Sequence, residues 1–200
     1  MEEVRRRGPS KRDRIKSHLD SERCLKLNIA VPRRKIKRVR VTFWLPPMDS
    51  WWKLNCDGSS LGNQGNAGVG GLIRDNKCQI VSIYNSFLGI ASNFQAEFQA
   101  LIEGIERARE MNCASLWIEC DLGTMVLMVQ RGLVPWFVWQ RWSSLISYLR
   151  GIRWKITKAN PVADFLAQMA AKKEASSSVV AWPPGVLEFL AEDAMGRSRF

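Results

Sequence analysis

The chain has 200 residues, of which 46% are hydrophobic and 24% are charged. These values are ordinary for globular proteins and exclude a wholly disordered, collagen-like or coiled-coil chain. The length fits one domain with additional terminal segments. No stretch approaches the roughly 18 consecutive apolar residues of a membrane helix, and the first residues do not form a signal peptide. We therefore expect an intracellular protein, nuclear or cytoplasmic, that does not bind a membrane.

The cysteine pattern argues against two kinds of site. Five cysteines form an odd set without a Cys-x-x-Cys spacing, which disfavours both a disulfide framework and a zinc site. We expect them to be reduced and mostly buried. They are Cys24, Cys56, Cys78, Cys113 and Cys120.

Positive charge is concentrated at the N-terminal end. The net charge is +11, and residues 1–50 contain 15 basic and 6 acidic residues, which leaves +9 in that quarter. Because this quarter lacks sustained hydrophobic periodicity, we interpret residues 1–45 as a basic flexible arm and linker. The arm could contact phosphates, direct nuclear import or be a solvated tail, and the sequence leaves these alternatives open.

Proline and serine clusters mark the domain boundaries. Pro46 and Pro47 form a stiff extended connector, so the folded domain is expected from about residue 51. Serines at 176–178 and the Pro-Pro-Gly at 183–185 mark a second boundary near residue 175. The sequence therefore predicts a domain over residues 51–175 and a C-terminal tail over 176–200.

The first predicted elements form an antiparallel meander. Residues 53–57 alternate polar and apolar side chains, which predicts a short strand with Leu54 and Cys56 on the core face. A glycine-rich turn follows, and residues 68–74 and 79–87 then predict two strands joined at Asp75 and Asn76.

The remaining predicted elements alternate helices and strands. Ser92 and Gln95 form a capping-box pattern at the start of a helix that continues to about Met111 with apolar residues at helical spacing. Further elements are a strand at 115–120, helices at 122–130 and 141–149 around a break at 132–135, a strand at 152–157 and a helix at 162–173. This order predicts an α/β fold in three layers: a mixed five-stranded sheet, with three antiparallel strands followed by two parallel ones, flanked by helices.

Four acidic residues occupy suggestive positions in this layout. Asp57 ends the first strand, Glu97 lies on the first turn of the helix, Asp121 ends the fourth strand and Asp164 lies on the final helix. If the first and fourth strands are parallel neighbours, Asp57 and Asp121 meet at their carboxyl ends.

Converging carboxylates need a cation. Two charges ~4 Å apart repel by about 4 kcal/mol at an effective dielectric constant of ~20. Oxygen ligands with open positions suit Mg²⁺ or Mn²⁺, which can support phosphodiester hydrolysis. The alternative is that the acids merely cap and solvate the ends of their elements.

Four sequence motifs surround the four acids. Residues 55–74 contain Asp57, a Gly-Asn-x-Gly turn and the second predicted strand, and Ser92-Asn-Phe-Gln-Ala-Glu97 opens the first helix. The other two are Ile118-Glu-Cys-Asp121 and Asn160-Pro-Val-Ala-Asp164. In this order they resemble the motifs of a type 1 ribonuclease H domain of the reverse-transcriptase-like group that is abundant in plants, including its helix with the catalytic glutamate and the segments with its third and fourth acids. The Trp-Leu-Pro-Pro at 44–47 and the tail at 183–193 also resemble this group.

The resemblance implies a site and an activity. Asp57, Glu97, Asp121 and Asp164 would be the catalytic and metal-binding acids of a retroelement-derived endonuclease that cuts the RNA strand of RNA/DNA hybrids with Mg²⁺ or Mn²⁺. We expect such a domain to act as a monomer, and to recognise hybrid shape and the 2′-hydroxyl rather than base edges. The implied substrate contacts are Gly58, Ser59, Asn63 and Asn93.

Two features depart from this group. Between the last strand and Asn160 the chain lacks about four residues of the usual His-Val-(Tyr/Phe)-Arg-Glu stretch. His18 in the basic arm is the single histidine, so no loop histidine can serve as a proton shuttle. The shortened turn raises the alternative of a nucleic-acid-binding module with little turnover, and a structural remnant without a nucleic-acid role is a third hypothesis.

An aromatic cluster also has two interpretations. Its 3-residue spacing indicates a helical face that packs on the sheet, which we prefer to base stacking. The cluster consists of Trp136, Phe137, Trp139 and Trp142.

Overall fold

The computed structural model describes residues 45–158, 162–173, 186–188 and 191. Five strands and four helices are assigned as elements in these ranges. The strands are β1 (Trp52–Ser60), β2 (Gly65–Arg74), β3 (Ile80–Ala91), β4 (Ser115–Cys120) and β5 (Arg153–Lys158). The helices are α1 (Asn93–Glu110), α2 (Gly123–Gln130), α3 (Trp136–Gly151) and α4 (Val162–Lys173). The predicted basic arm, the turn at 159–161 and most of the predicted tail lie outside the described residues.

The sheet has the predicted mixed topology. Its strand order is β3-β2-β1-β4-β5. β1, β2 and β3 pair antiparallel, whereas β4 pairs parallel with both β1 and β5. The chain therefore places the carboxyl ends of β1 and β4 side by side at the centre of the sheet.

Local sequence signals account for the start of α1. The Ser92 hydroxyl accepts a hydrogen bond from the Gln95 backbone N–H, and the Gln95 side chain accepts one from the Ser92 backbone N–H. This confirms the predicted capping box, which satisfies N–H groups that the first helical turn leaves without partners. The apolar face of α1 then packs on β1 and β2.

Helices cover both faces of the sheet. The larger core lies on the α1 face and contains Leu54 and Cys56, as predicted. On the opposite face, α4 packs on β1, β2 and β3. Leu72 and Leu166 form a smaller core there with Val186, a residue of the segment predicted as a tail.

α3 begins at Trp136, five residues before the predicted start, directly after Pro135. Its buried face consists of Val138, Trp142, Leu145 and Leu149. The prediction that the aromatic cluster forms a helical face packed on the sheet is therefore wrong in part. Trp136 is 86% exposed and Trp139 is 50% exposed, because a helix that packs along one stripe leaves residues on its other faces in solvent.

Within the described ranges, no helix combines the length and the apolar character needed to cross a membrane. Cys56, Cys113 and Cys120 are buried free thiols, as expected, whereas Cys78 is exposed.

Candidate metal and nucleic-acid site

Strand pairing brings Asp57 and Asp121 together. Asp57 lies inside β1, three residues before the end of that strand, and is paired with Gly70 of β2. Asp121 directly follows β4. Since β1 and β4 are parallel neighbours, both carboxylates lie at the same end of the sheet.

Glu97 reaches the same point from α1, because Gly58 lets the helix approach β1 closely. A side chain at position 58 would place its Cβ 2.1 Å from the backbone carbon of Ala96 and 2.2 Å from the backbone nitrogen of Glu97. Glycine removes this clash, so the start of α1 rests directly on the strand. Glu97 is the fifth residue of α1, just beyond the first turn in which it was expected.

The three carboxylates form a compact ligand set. One oxygen from each of Asp57, Glu97 and Asp121 lies within 4.8 Å of the other two. Asp57 and Glu97 are buried, at 4% and 2% exposure, whereas Asp121 is exposed. Glu97 Oε2 has no hydrogen-bond partner among the described residues. A buried acceptor that lacks a donor is costly, and a cation would satisfy it.

The electrostatics of the cluster also fit a cation. The pKa of Asp57 is raised from 3.8 to about 8 by burial, then by repulsion from Asp121 and Asp164. The pKa of Glu97 is raised above its ordinary value by burial, then by repulsion from Asp57 and Asp121. Both shifts have the sign expected when carboxylates converge without a neutralising positive charge. The residues present therefore fit a divalent cation.

The ligand set consists of oxygen atoms although two thiols are adjacent. Cys56 and Cys120 directly precede the two aspartates and are fully buried. Burial is the main cause that raises the pKa of both thiols, and the neighbouring carboxylates raise it further. Neither thiol belongs to the set of ligand atoms that converge among the described residues. Carboxylate oxygens favour Mg²⁺ or Mn²⁺ over softer metals.

Asp164 lines the same cleft but is outside this set of three. It lies in the first turn of α4, which packs closely on Gly68 and Gly70 of β2. Both carboxylate oxygens of Asp164 accept hydrogen bonds from Gln168 Nε2, each at 2.9 Å. The Asp164 carboxylate is thus hydrogen-bonded to Gln168, which lies one turn further along the same helix.

The expected substrate contacts divide into two groups. Gly58, Ser59 and Asn93 line the cleft with the acids. Asn63 is absent from this lining, and its side-chain oxygen accepts a hydrogen bond from the Asn93 backbone N–H at 3.0 Å. Asn93 Oδ1 in turn accepts one from the Ser60 backbone N–H at 3.2 Å. These two bonds join the β1–β2 turn to the start of α1.

Part of the cleft wall was not predicted from the sequence. Leu122, Gly123 and Thr124 also line the cleft, at the start of α2. Their position in the sequence could have predicted this, because residues that directly follow an acid at the carboxyl end of a strand border the same cleft. Thr124 adds a hydroxyl to this wall.

Comparisons with known proteins identify the family and the fold. The model of the reverse transcriptase-like family matches residues 55–170, more than half of the chain. An Arabidopsis thaliana protein named "Putative ribonuclease H protein" is 26% identical over an alignment of 185 residues that covers 86% of this chain and 29% of that protein. The chain thus spans less than a third of that relative's length.

Solved structures share the fold. RNase H1 from the halophilic archaeon Halobacterium salinarum has a TM-score of 0.54 and 26% identity, covering 62% of this chain and 99% of that chain. LC11-RNase H1, solved in complex with an RNA/DNA hybrid, has a TM-score of 0.53 and 21% identity, covering 62% and 98%. The chain belongs to the reverse transcriptase-like family, and its domain has the ribonuclease H fold.

Proposed function

We propose that this protein is a metal-dependent endonuclease that hydrolyses the RNA strand of RNA/DNA hybrids. The observation that carries the proposal is the convergence of Asp57, Glu97 and Asp121, whose ligand oxygens lie within 4.8 Å of one another in a cleft. The match to the reverse transcriptase-like family supports a retroelement origin.

In this proposal Asp57, Glu97 and Asp121 would hold Mg²⁺ or Mn²⁺. Asp164, which lines the same cleft, would provide a fourth carboxylate. A divalent cation supplies charge neutralisation and electrostatic stabilisation of a phosphoryl group under attack. The acids bind and orient this cation, and the cleft presents the chain to be cut. Hydrolysis then joins the hydroxyl of a water molecule to phosphorus as one phosphorus–oxygen bond of the RNA chain breaks, and the remaining proton of the water ends on the departing ribose oxygen.

The cleft floor suits a nucleic-acid backbone. Beside the acids, Gly58 has no side chain and Ser59 has a short one, so a phosphate can approach closely. Asn93 lines the same floor. We propose that Gly58, Ser59 and Asn93 contact the nucleic-acid strand. Asn63 supports these contacts through its hydrogen bond with the Asn93 backbone N–H, which holds the β1–β2 turn in place. The RNA/DNA hybrid bound by LC11-RNase H1 supports this substrate class, and we propose that the protein acts on it as a monomer.

A cleavage assay tests the proposal. The purified chain is incubated with a hybrid labelled on its RNA strand, with Mg²⁺ or Mn²⁺ and with EDTA, alongside single-stranded RNA and duplex DNA. We expect internal cuts in the RNA strand of the hybrid and none in single-stranded RNA or duplex DNA. EDTA should abolish the cleavage. The Asp121→Asn variant, purified identically, controls for contaminating nucleases of the host. Equal cleavage by that variant, or none by the native chain, contradicts the proposal.

A binding module with little turnover is the second candidate, and the position of Asp164 favours it. Its carboxylate is bonded to Gln168 and lies outside the set of three acids. Hybrid binding in a salt-sensitive gel-shift assay, with no cleavage at any Mn²⁺ concentration, would identify this module. Efficient cleavage at low Mg²⁺ would exclude it.

A further inference from the structure

Four polar side chains form a buried hydrogen-bonded network that the proposed reaction does not use. Oε1 of Glu119 accepts a hydrogen bond from Lys53 Nζ at 3.0 Å, and its Oε2 accepts one from Asn55 Nδ2 at 3.0 Å. Asn55 Oδ1 accepts a third from Arg74 Nη2 at 2.9 Å. All four residues are buried, with at most 6% of their surface exposed.

The network joins β1 to β4 directly beneath the acids. Asn55 and Glu119 are paired opposite each other in the parallel register. Asp57 follows Asn55 by two residues, and Asp121 follows Glu119 by two residues. Side chains two apart point to the same face of a strand, so Asn55 and Asp57 share a face of β1. Asp121 is the first residue after β4, so the Asn55–Glu119 bond lies two residues before both aspartates along the chain.

The backbone ladder of β1 and β4 sets the strand stagger, and a directional side-chain bond at this place secures it further near the acids. The hydrophobic effect has no preferred direction, whereas a hydrogen bond weakens steeply when its distance or angle changes. The network also carries buried charges, which are costly unless paired. A slide of β4 along β1 would break the bond and leave Lys53 and Glu119 poorly paired.

We propose that Asn55 and Glu119 are positioning residues for the divalent cation. Their hydrogen bond secures the stagger of β1 against β4 and thereby the separation of the Asp57 and Asp121 carboxylates. The inference rests on the proposed metal-binding function of those aspartates. Side chains that orient metal ligands in this indirect way typically change metal affinity by about 10- to 100-fold when they are mutated.

A charge-swap experiment tests the bond itself. Glu119→Gln leaves one acceptor oxygen for two donors, Lys53 Nζ and Asn55 Nδ2, so one of these two bonds is lost. Asn55→Asp places one carboxylate against another and removes the donor of the bridge. In the double variant, the new amide nitrogen at position 119 can donate to the new carboxylate at position 55, and the amide oxygen at 119 can accept from Lys53. The second carboxylate oxygen at 55 can accept from Arg74. The swap therefore restores three bonds and the net charge.

The readout is the affinity of the folded, nucleic-acid-free protein for Mn²⁺ alone, followed by electron paramagnetic resonance. We expect each single variant to raise the Kd at least tenfold and the double variant to return it to within threefold of the native value. Thermal unfolding midpoints are measured in parallel. Glu106→Gln, which breaks the ion pair of Glu106 with Arg141 between α1 and α3, is the control for lost stability without changed metal affinity.

Each outcome is decisive. Folded single variants with native Mn²⁺ affinity, or a double variant no better than the singles, overturn the positioning role. If neither single variant folds, Asn55→Ser removes the bridging amide without adding a charge and must show the same loss of affinity. If the native chain binds no Mn²⁺, the proposed metal site is refuted, and the inference with it. If the native chain binds Mn²⁺ and only the single variants lose affinity, both the metal site and the positioning role are supported.

Discussion

The Glu97 carboxylate lies beside that of Asp57 because the start of α1 passes over Gly58. The two residues are 40 positions apart and belong to a helix and a strand. A Cβ at position 58 would come within 2.2 Å of the Glu97 backbone nitrogen, so a larger residue would lift the helix and withdraw its carboxylate. The acid cluster therefore depends on a residue that has no functional group of its own.

Asp57→Asn and Asp121→Asn are each expected to reduce hybrid cleavage at least 100-fold, because each removes an anionic oxygen from the proposed cation site. In EDTA the same variants should unfold at equal or higher temperature, since each relieves repulsion among the acids. Cleavage rates and melting midpoints check this. The matched control is Glu110→Gln, which neutralises an exposed acid at the end of α1. Native activity in either aspartate variant contradicts the site.

Stability without metal is expected to fall as the pH rises from about 4 to about 8. In the unfolded chain Asp57 loses its proton near its ordinary pKa of 3.8, whereas in the folded protein it keeps the proton up to about 8. Between these values the folded state binds more protons, so raising the pH favours unfolding. The stabilising contribution is complete below pH 4 and lost above pH 8.

Urea unfolding at pH 5, 6.5 and 8 measures this dependence in EDTA and in saturating Mn²⁺. The cation should flatten the decline, because it stabilises the ionised acids. Asp57→Asn should reduce the decline in EDTA as well, since asparagine does not titrate, and Glu97, whose pKa is also raised by burial, accounts for the remainder. An identical slope in all three cases would show that the acid cluster does not govern the pH dependence.

Deletion of residues 1–45 is expected to weaken hybrid binding and reduce its salt dependence. Residues 1–50 carry a net charge of +9, so most of the positive charge leaves with this segment. Each lost phosphate contact should lower the slope of log affinity against log salt by roughly 0.9 on duplex DNA, and by a comparable amount on a hybrid. Affinities at four salt concentrations give the slope, and an unchanged slope would assign the arm no part in binding.

Gln168→Ala is expected to increase cleavage two- to fivefold at limiting Mn²⁺. The substitution removes both hydrogen bonds to Asp164 and keeps a residue that favours the helix. The freed carboxylate can then turn into the cleft. Rates are compared across Mn²⁺ concentrations, with the double variant Gln168→Ala, Asp164→Asn as control. An equal gain in that control would show that Asp164 is not the cause.

Replacement of Lys158 by His-Val-Phe-Arg-Glu is expected to raise cleavage at least tenfold and to lower the Mn²⁺ concentration required. The inserted residues lengthen the turn before α4. A shift of one residue along a helix turns a side chain by about 100°, so turn length decides where Asp164 points. Efficient cleavage by the native chain, unchanged by the insertion, would show that the short turn is tolerated.

The order of the elements could be predicted from the sequence because it depends on local signals. The capping box at Ser92 and Gln95 predicts the helix start, and alternating side chains locate the first and fifth strands within a few residues. The start of α3 was placed too late, since Trp136–Gln140 has no polar cap and reads as an aromatic cluster. Pro135 was the signal, because proline restricts φ and often precedes a helix.

The candidate site was located by the resemblance more than by spacing. Acidic residues at element ends are common, and spacing alone did not separate ligands from caps. The convergence of Asp57, Glu97 and Asp121 required the parallel pairing of β1 with β4 and the close approach of α1 at Gly58. Both are contacts between residues far apart in the chain.

The sequence by itself determined the local pattern of β1, with Leu54 and Cys56 on one face and polar residues on the other. Only the tertiary structure decided that the polar face is buried too. α4 packs across β1 and β2, and Lys53, Asn55 and Glu119 are enclosed with their partners. The physical reason is that alternation specifies which residues share a face, whereas burial of that face depends on what the rest of the chain places upon it.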